Sequence, residues 1–295
     1  IFDIDYNDTK SNNLISLDIK INKTCNLSCR ICGPAFSSKW ANEVSQNKQS
    51  YPQFSSLSLV KNEWTDVNGS KVWKDLEEIT SDLSHIRFSG GEPLLDKTHS
   101  SMLQYFINKQ RSSYISLHYN TNATIFASNL IPLWSRFKEV ELSFSIDNTG
   151  KKFEYERYGV SWKTIVDTIE KYKKVTDTVL NLNLWSTVTT LNILDTYTLF
   201  QFCREYGLTI SFNPLNNPKQ LNICLFNKKQ KKYITDKLLN IQDDEFQKII
   251  EPIMAWMNNS SMSTDTTNMI DFLSVTDKIR KQDYKQTYEE LTYIL

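Results

Sequence analysis

Residues 14–32 read LISLDIKINKTCNLSCRIC. Their first part, residues 14–21, alternates apolar and polar side chains, as expected of a strand that buries one face in a sheet. Their second part places Cys25, Cys29 and Cys32 in a C-x3-C-x2-C spacing directly after that strand. The order predicts a strand whose carboxyl end presents three thiols on one short loop.

Five further apolar runs predict strands, and amphipathic patterns between them predict helices. The predicted strands after the first are residues 85–88, 114–119, 140–146, 179–185 and 208–212. The predicted helices are residues 38–45, 71–81, 98–110, 164–176 and 195–206, with a loop at 52–70. Strands that alternate with helices predict an α/β fold with a parallel sheet built of βαβ units.

The chain divides into three parts by its pattern. Residues 1–13 are interpreted as a lead-in that continues a missing upstream segment, and residues 14–220 carry the six strands. A closed barrel of this kind has about eight units, so six predict a partial barrel. Residues 221–295 are predicted to be a mostly helical extension, with two or three amphipathic helices over 228–258 and 269–294 that cover the open side.

Composition and charge exclude several classes of protein. Lys and Arg together number 34, as do Asp and Glu, so no overall attraction to nucleic acid or to a membrane follows. No apolar run approaches the ~20 residues of a membrane span, and no signal peptide is visible. We therefore expect a cytoplasmic protein without a membrane or nucleic-acid partner. Three of the five cysteines crowd together, which in a reducing compartment indicates a metal rather than disulfides.

The cysteine spacing has more than one interpretation. Three thiolates would leave one iron of a cubane [4Fe–4S] cluster without a protein ligand, open to an exogenous group. The alternatives are a three-cysteine zinc site that a distant His or Cys completes, or simply buried thiols. Cys203 is predicted to be buried on a helix, and Cys224 to face either the barrel or the core.

A second motif follows the second predicted strand. Residues 89–95 read SGGEPLL, with adjacent glycines at Gly90 and Gly91 and then Glu92 and Pro93. Adjacent glycines allow the backbone to approach a ligand where a Cβ would clash. Glu92 offers an acceptor for a cationic amine. An ordinary turn is the alternative, but beside the cysteines the motif predicts a binding site.

With these two motifs the sequence resembles the radical S-adenosylmethionine (SAM) superfamily. The cysteine spacing and the GGEP sequence are the family's two signatures, and the second binds the methionine amino group there. The resemblance covers roughly residues 14–220 and implies a partial (β/α)6 TIM-like barrel with the C-terminal helical extension. The stretches SFSIDNTGKKFEYERYG and TDKIRKQDYKQTYEEL look like the twitch/SPASM-type subgroup.

The resemblance implies a cofactor set and a reaction. A [4Fe–4S] cluster on the three cysteines would bind SAM and, once reduced by an external flavodoxin- or ferredoxin-like donor, cleave it to a 5′-deoxyadenosyl radical. That radical would abstract hydrogen from a substrate. An auxiliary iron–sulfur cluster is expected only if an upstream segment exists.

Three functional hypotheses follow. The first is an oxidoreductase-like enzyme that acts on a peptide or protein side chain, because twitch and SPASM relatives often do. The second is a radical SAM enzyme that acts on a nucleotide, a sugar or another metabolite. The third is a non-catalytic metal-binding scaffold, which would not need the GGEP sequence.

Polar residues at the carboxyl ends of the later strands are further candidates for SAM binding, because functional groups gather there in such barrels. These candidates are Asn122, Ser145, Asp147 and Asn213. The resemblance implies ribose-binding groups in SFSID. Arg157 is expected to pair with the methionine carboxylate. The alternatives are ordinary turn-forming residues and, for Arg157, an exposed helix position.

Overall fold

The computed structural model describes residues 14–20, 22–54, 82–96, 98–175, 180–259 and 265–295. Six parallel strands form one sheet in the order of the chain. They are β1 (Ser16–Lys20), β2 (His85–Ser89), β3 (Ser116–Thr121), β4 (Glu139–Ser145), β5 (Leu180–Val188) and β6 (Thr209–Pro214). The sheet is open, with β1 and β6 as its edges. The predicted partial barrel is confirmed.

Helices follow the strands, and most of them pack on one face of the sheet. They are α1 (Ser38–Gln46), α2 (Thr98–Asn108), α3 (Ile131–Trp134), α4 (Gly150–Glu156), α5 (Trp162–Lys173) and α6 (Thr196–Tyr206). Alternate strand residues such as Phe88, Leu117 and Phe144 are buried against them. This apolar face is why the sequence alternates at period two in these strands.

Some sequence predictions fall beyond what the structure describes. The lead-in at residues 1–13 and the helix at 71–81 lie outside the described residues, as does most of the loop at 52–70. The described part of that loop, Pro52–Phe54, is a 3₁₀ turn. Helix α4 was not predicted, because it is only two turns long and too short for its period to stand out.

The C-terminal extension has five helices within the described residues, where two or three were predicted. They are α7 (Lys228–Leu239), α8 (Asp244–Asn259), α9 (Thr267–Arg280), α10 (Tyr284–Thr287) and α11 (Glu289–Ile294). The predicted helical stretch at 269–294 is interrupted at Lys281, whose φ of 54° is left-handed. The Asp283 side chain then accepts a hydrogen bond from the Lys285 backbone N–H at 2.8 Å and starts the next helix.

Two apolar cores hold the molecule together. One lies between the sheet and helices α2, α3, α5 and α6. The other joins the C-terminal helices to Trp40 and Val44 of α1 and to Leu215, which follows β6. The C-terminal helices therefore connect the regions that follow the two edge strands. No helix among the described residues is both long and apolar enough to cross a bilayer.

Candidate cofactor site

The cysteine loop, residues 25–32, is held in place by backbone hydrogen bonds from the end of α4. Ser28 N–H donates to Tyr158 O at 2.9 Å, and Arg30 N–H donates to Glu156 O at 2.8 Å. The indole N–H of Trp40, on α1, donates to Cys29 O at 2.7 Å. The loop is thus hydrogen-bonded through its backbone to the end of α4 and to α1.

The three thiols differ in exposure. Cys29 is buried, while Cys25 and Cys32 are half-buried. Burial is the largest of the effects that together raise the pKa of the Cys29 thiol to about 12; Arg157 opposes the shift, and the two neighbouring thiols contribute to it. Burial raises the pKa of Cys25 and Cys32 as well. The raised pKa values favour protonated thiols at neutral pH, and a bound metal would favour the thiolate forms instead.

Two side-chain nitrogens point at the sulfurs. Asn122 Nδ2 lies 3.9 Å from Cys25 Sγ, and Arg157 Nη1 lies 3.9 Å from Cys29 Sγ. N–H donors to sulfur, one of them cationic, suit an anionic iron–sulfur cluster. Among the described residues, no group of three or more His, Cys, Asp or Glu side chains is placed to hold a metal ion. The three cysteines are among these residues, so their thiols do not converge on a single ion. By donor chemistry, three thiols with flanking N–H groups fit a cluster that binds each thiolate at a different iron.

The two glycines of GGEP make close contact with the chain that leads into the cysteine loop. Gly91 N–H donates to Asn22 O at 3.1 Å, and Glu92 N–H donates to Thr24 O at 2.7 Å. A Cβ on Gly91 would lie 2.2 Å from Thr24 O, and Gly90 has a φ of +123°. The sequence predicted close approach to a ligand; the structure shows close approach to the backbone of the segment that leads into the cysteine loop.

Glu92 ties the end of β2 to the end of β3. Its buried carboxylate accepts hydrogen bonds from Thr121 Oγ1 at 2.7 Å, from Asn122 N–H at 2.6 Å and from Leu94 N–H at 3.1 Å. Burial raises the pKa of Glu92 to about 7, although these hydrogen bonds oppose the shift. Pro93 is buried and begins a 3₁₀ turn. The role of Glu92 as acceptor for a cationic amine stays a prediction.

Asn122 connects β3 to the cysteine loop. Its Nδ2 donates to Asn26 Oδ1 at 2.9 Å as well as lying near Cys25. Its Oδ1 accepts from Thr124 N–H at 3.0 Å, so the amide is oriented. The structure therefore brings the cysteine loop, GGEP and Asn122 together in one place.

Asp147 and Arg157 form a buried ion pair. Arg157 Nη2 lies 2.8 Å from Asp147 Oδ2, and Asp147 Oδ1 accepts from Thr187 N–H at 2.8 Å. Burial raises the pKa of Asp147 even though Arg157 opposes it. Burial disfavours the charge of Arg157, but Asp147, Cys29 and Glu156 outweigh it and raise its pKa. Arg157 is thus no exposed helix residue; its guanidinium bridges Asp147 and Cys29.

Ser145 and Asn213 are half-buried near the carboxyl ends of β4 and β6. In the sheet, Ser145 is paired with Trp185 and Asn213 with Thr187, so all four lie on one face. Within the described part of the chain neither side chain has a hydrogen-bond partner. They remain available to a ligand, whereas Asp147 is fully engaged with protein groups.

Sequence reasoning missed Arg30, which lies inside the cysteine loop. Its side chain is fully buried, stacks on the Tyr155 ring with 3.4 Å between Cζ and the centroid, and pairs with Asp277 Oδ1 at 2.6 Å. Arg280, also on α9, pairs with Glu43 at 3.0 Å. No local sequence pattern predicts this ion pair, because Arg30 and Asp277 are 247 positions apart.

The remaining thiols lie elsewhere. Cys203 is buried on α6 in the core between sheet and helices, as predicted. Cys224 is buried in the second core, where its Sγ lies 3.7 Å from Trp256 O. Of the two options for Cys224, the structure shows the core.

Solved structures of known proteins share this fold. Native anSMEcpe with bound AdoMet matches with a TM-score of 0.55 and 19% identity, over 76% of this chain and 59% of that one. It is an anaerobic sulfatase-maturating enzyme of the radical SAM superfamily. The fold is that of radical SAM enzymes. This chain spans about three fifths of the length of that enzyme.

Two further structures found in this comparison contain peptides. Native anSMEcpe with AdoMet and the Kp18Cys peptide matches with a TM-score of 0.52 and 19% identity, over 76% of this chain and 59% of that one. Streptococcus suis SuiB bound to its precursor peptide SuiA matches with a TM-score of 0.45 and 14% identity, over 82% and 52%. No protein-family profile and no curated protein sequence matches the chain.

Proposed function

We infer that the chain is a radical SAM enzyme. A [4Fe–4S] cluster held by Cys25, Cys29 and Cys32, when bound and reduced, would supply the electron that cleaves SAM to methionine and a 5′-deoxyadenosyl radical. One observation carries this proposal: Gly91 and Glu92 of GGEP are hydrogen-bonded to Asn22 and Thr24, in the segment that leads directly into the cysteine loop. An ordinary turn and a set of unrelated thiols would not need that contact.

The other site residues have distinct proposed roles. Asn122 and Arg157 donate N–H groups toward the sulfurs, and Asp147 holds the Arg157 guanidinium in place. Ser145 and Asn213, which lack hydrogen-bond partners among the described residues, are the polar groups proposed to contact the nucleoside of SAM. In this arrangement Arg157 remains near enough to the thiols to attract the methionine carboxylate as well.

The proposed substrate is a peptide or protein side chain. Its support is the peptide in the anSMEcpe structure, a protein of the same fold with a TM-score of 0.52. An external flavodoxin- or ferredoxin-like electron donor and a cytoplasmic location belong to the same proposal. So does membership of the twitch/SPASM-type subgroup, with an auxiliary cluster only if an upstream segment carries its ligands.

Anaerobic reconstitution with iron and sulfide, followed by reduction with dithionite in the presence of SAM, tests the proposal. We expect 5′-deoxyadenosine and methionine in equal amounts, and no product from the Cys29→Ala variant. The matched control is Cys203→Ala, which removes a buried thiol outside the site and should retain product formation. Zinc in place of iron, or an intact cluster without SAM cleavage, would favour the metal-binding scaffold instead.

A further inference from the structure

The two faces of the sheet differ in chemistry. The face under helices α2, α3 and α5 is apolar, with Ile86 and Phe88 of β2 fully buried. The opposite face of the same strand carries His85, Arg87 and Ser89, all half-exposed. Because side chains alternate along a strand, this polar face is continuous across the neighbouring strands.

A charged row crosses the polar face at one level. The register places Asp18 of β1 opposite Arg87 of β2, then His118 of β3 and Glu141 of β4. Both acids already have neutral donors. Asp18 Oδ1 accepts a hydrogen bond from Ser89 Oγ at 2.9 Å, and Glu141 Oε1 accepts one from Asn183 Nδ2 of β5.

Arg87 has no acidic partner among the described residues. Its Nε donates to Asn120 Oδ1 at 2.9 Å, which fixes the plane of the guanidinium. Its two terminal nitrogens have no hydrogen-bond partner in the described part of the chain, and His118 lies beside it in the register. An oriented, half-exposed guanidinium fork without a carboxylate fits a bidentate carboxylate ligand.

Arg87 lies on the same sheet face as part of the proposed cofactor site and close to it along β2. It lies on the sheet face that also carries Ser145 at the end of β4, because residues two apart in a strand share a face. Arg87 is two residues, about 7 Å along the strand, before β2 ends next to Gly90. A substrate residue bound at Arg87 would therefore present a neighbouring residue to the cofactor site.

We propose that Arg87 binds a carboxylate side chain of the peptide substrate and selects substrates with an acidic residue next to the modified one. This rests on the proposed function for its biological meaning. The binding itself requires neither SAM nor a reduced cluster. A failure of peptide binding can therefore be told apart from a failure of SAM cleavage.

The three histidines of the chain supply the measurement. His85 and His118 lie on the polar face beside Arg87, while His99 is buried on the other side against Phe88 and Tyr119. Imidazole NMR signals of the reconstituted protein are followed while two blocked peptides are added, acetyl-Gly-Glu-Gly-amide and acetyl-Gly-Gln-Gly-amide. We expect the Glu peptide to shift His85 and His118, the Gln peptide to shift neither, and His99 to stay unchanged.

Variants decide whether Arg87 is responsible. Arg87→Gln should weaken binding of the Glu peptide about tenfold or more. Arg87→Lys keeps the positive charge but loses the two-pronged guanidinium, so it should weaken binding by a smaller factor. The matched control Arg136→Gln removes an exposed arginine elsewhere and should bind as the unaltered protein does. The unchanged His99 signal reports that each variant is folded.

Three outcomes would overturn the proposal. One is equal shifts with the Gln peptide, which would mean that the face binds backbone rather than a carboxylate. Another is undiminished binding by Arg87→Gln. The third is an equal effect of acetate at the same concentration, which would show a site for small anions and not for a peptide side chain.

Discussion

The cysteine loop is held from two sides, and the two sides use different interactions. On the barrel side, Gly91 and Glu92 donate backbone hydrogen bonds to Asn22 and Thr24, directly before the loop, and the Asn122 amide donates to Asn26 within it. On the C-terminal side, the buried charge of Arg30 is matched by Asp277 of α9. The first side depends mainly on a close backbone approach at Gly91, where a Cβ would clash, and the second depends on a pair of charged side chains.

This difference determines how each side should fail. The close backbone contact at Gly91 leaves no room for an added Cβ, so a larger residue there should displace the segment that leads into the cysteine loop. A buried ion pair fails when one partner is removed, because the other charge is left without compensation. The C-terminal extension therefore supports the cysteine loop through the Arg30–Asp277 pair.

The largest effect is expected from Gly91→Ala. Its Cβ would lie 2.2 Å from Thr24 O, so the cysteine loop or the end of β2 must move. We expect the variant to lose most of its reconstituted iron. The matched control is Gly33→Ala, one residue after Cys32, where no atom lies within 4 Å of the added Cβ. Equal iron content in the two variants would contradict the barrel-side contact.

A smaller effect is expected from Asp277→Asn, which removes the charge that compensates Arg30. Breaking a buried pair costs about 3–5 kcal/mol of unfolding free energy. Asp236→Asn removes an acid from the exposed pair with Lys232, and there the cost should stay below about 1 kcal/mol. Denaturant unfolding of both variants measures the difference. If Asp277→Asn is no less stable than Asp236→Asn, the C-terminal side does not hold the loop.

The smallest effect concerns Glu156, which is hydrogen-bonded both to the barrel and to the C-terminal extension. Its carboxylate accepts from Asn148 and from Tyr288 of the C-terminal extension, at 2.9 and 2.7 Å. Burial, with a contribution from Asp147, raises its pKa from 4.5 to about 8. Between these values the unfolded chain has released the proton that the folded chain keeps, so this group makes stability fall as pH rises.

Glu156→Gln should remove that contribution. We expect its melting temperature to fall less between about pH 5 and about pH 8 than that of the unaltered protein, by a few degrees. Glu170→Gln, an exposed position, supplies the same change of charge without burial. A slope that matches the Glu170→Gln slope would mean that Glu156 is ionised throughout this range.

The sequence predicted those parts of the fold and site that local patterns encode. The six strands follow from period-two alternation, and the cysteine loop and GGEP are contiguous motifs at the ends of two of them. Arg30 and Asp277 could not be predicted, because their pairing depends on where the C-terminal helices pack. The same holds for Asp147, whose position after β4 was evident while its pairing with Arg157 was not.

The central claim is that the three-cysteine cluster keeps one iron open and that SAM binds there. Electron–nuclear double resonance of the reduced cluster with SAM labelled by nitrogen-15 in its amino group tests this most directly. We predict a hyperfine coupling between the labelled nitrogen and the cluster spin, and its loss in Cys29→Ala. An intact, reduced cluster that shows no coupling at saturating SAM would contradict the claim.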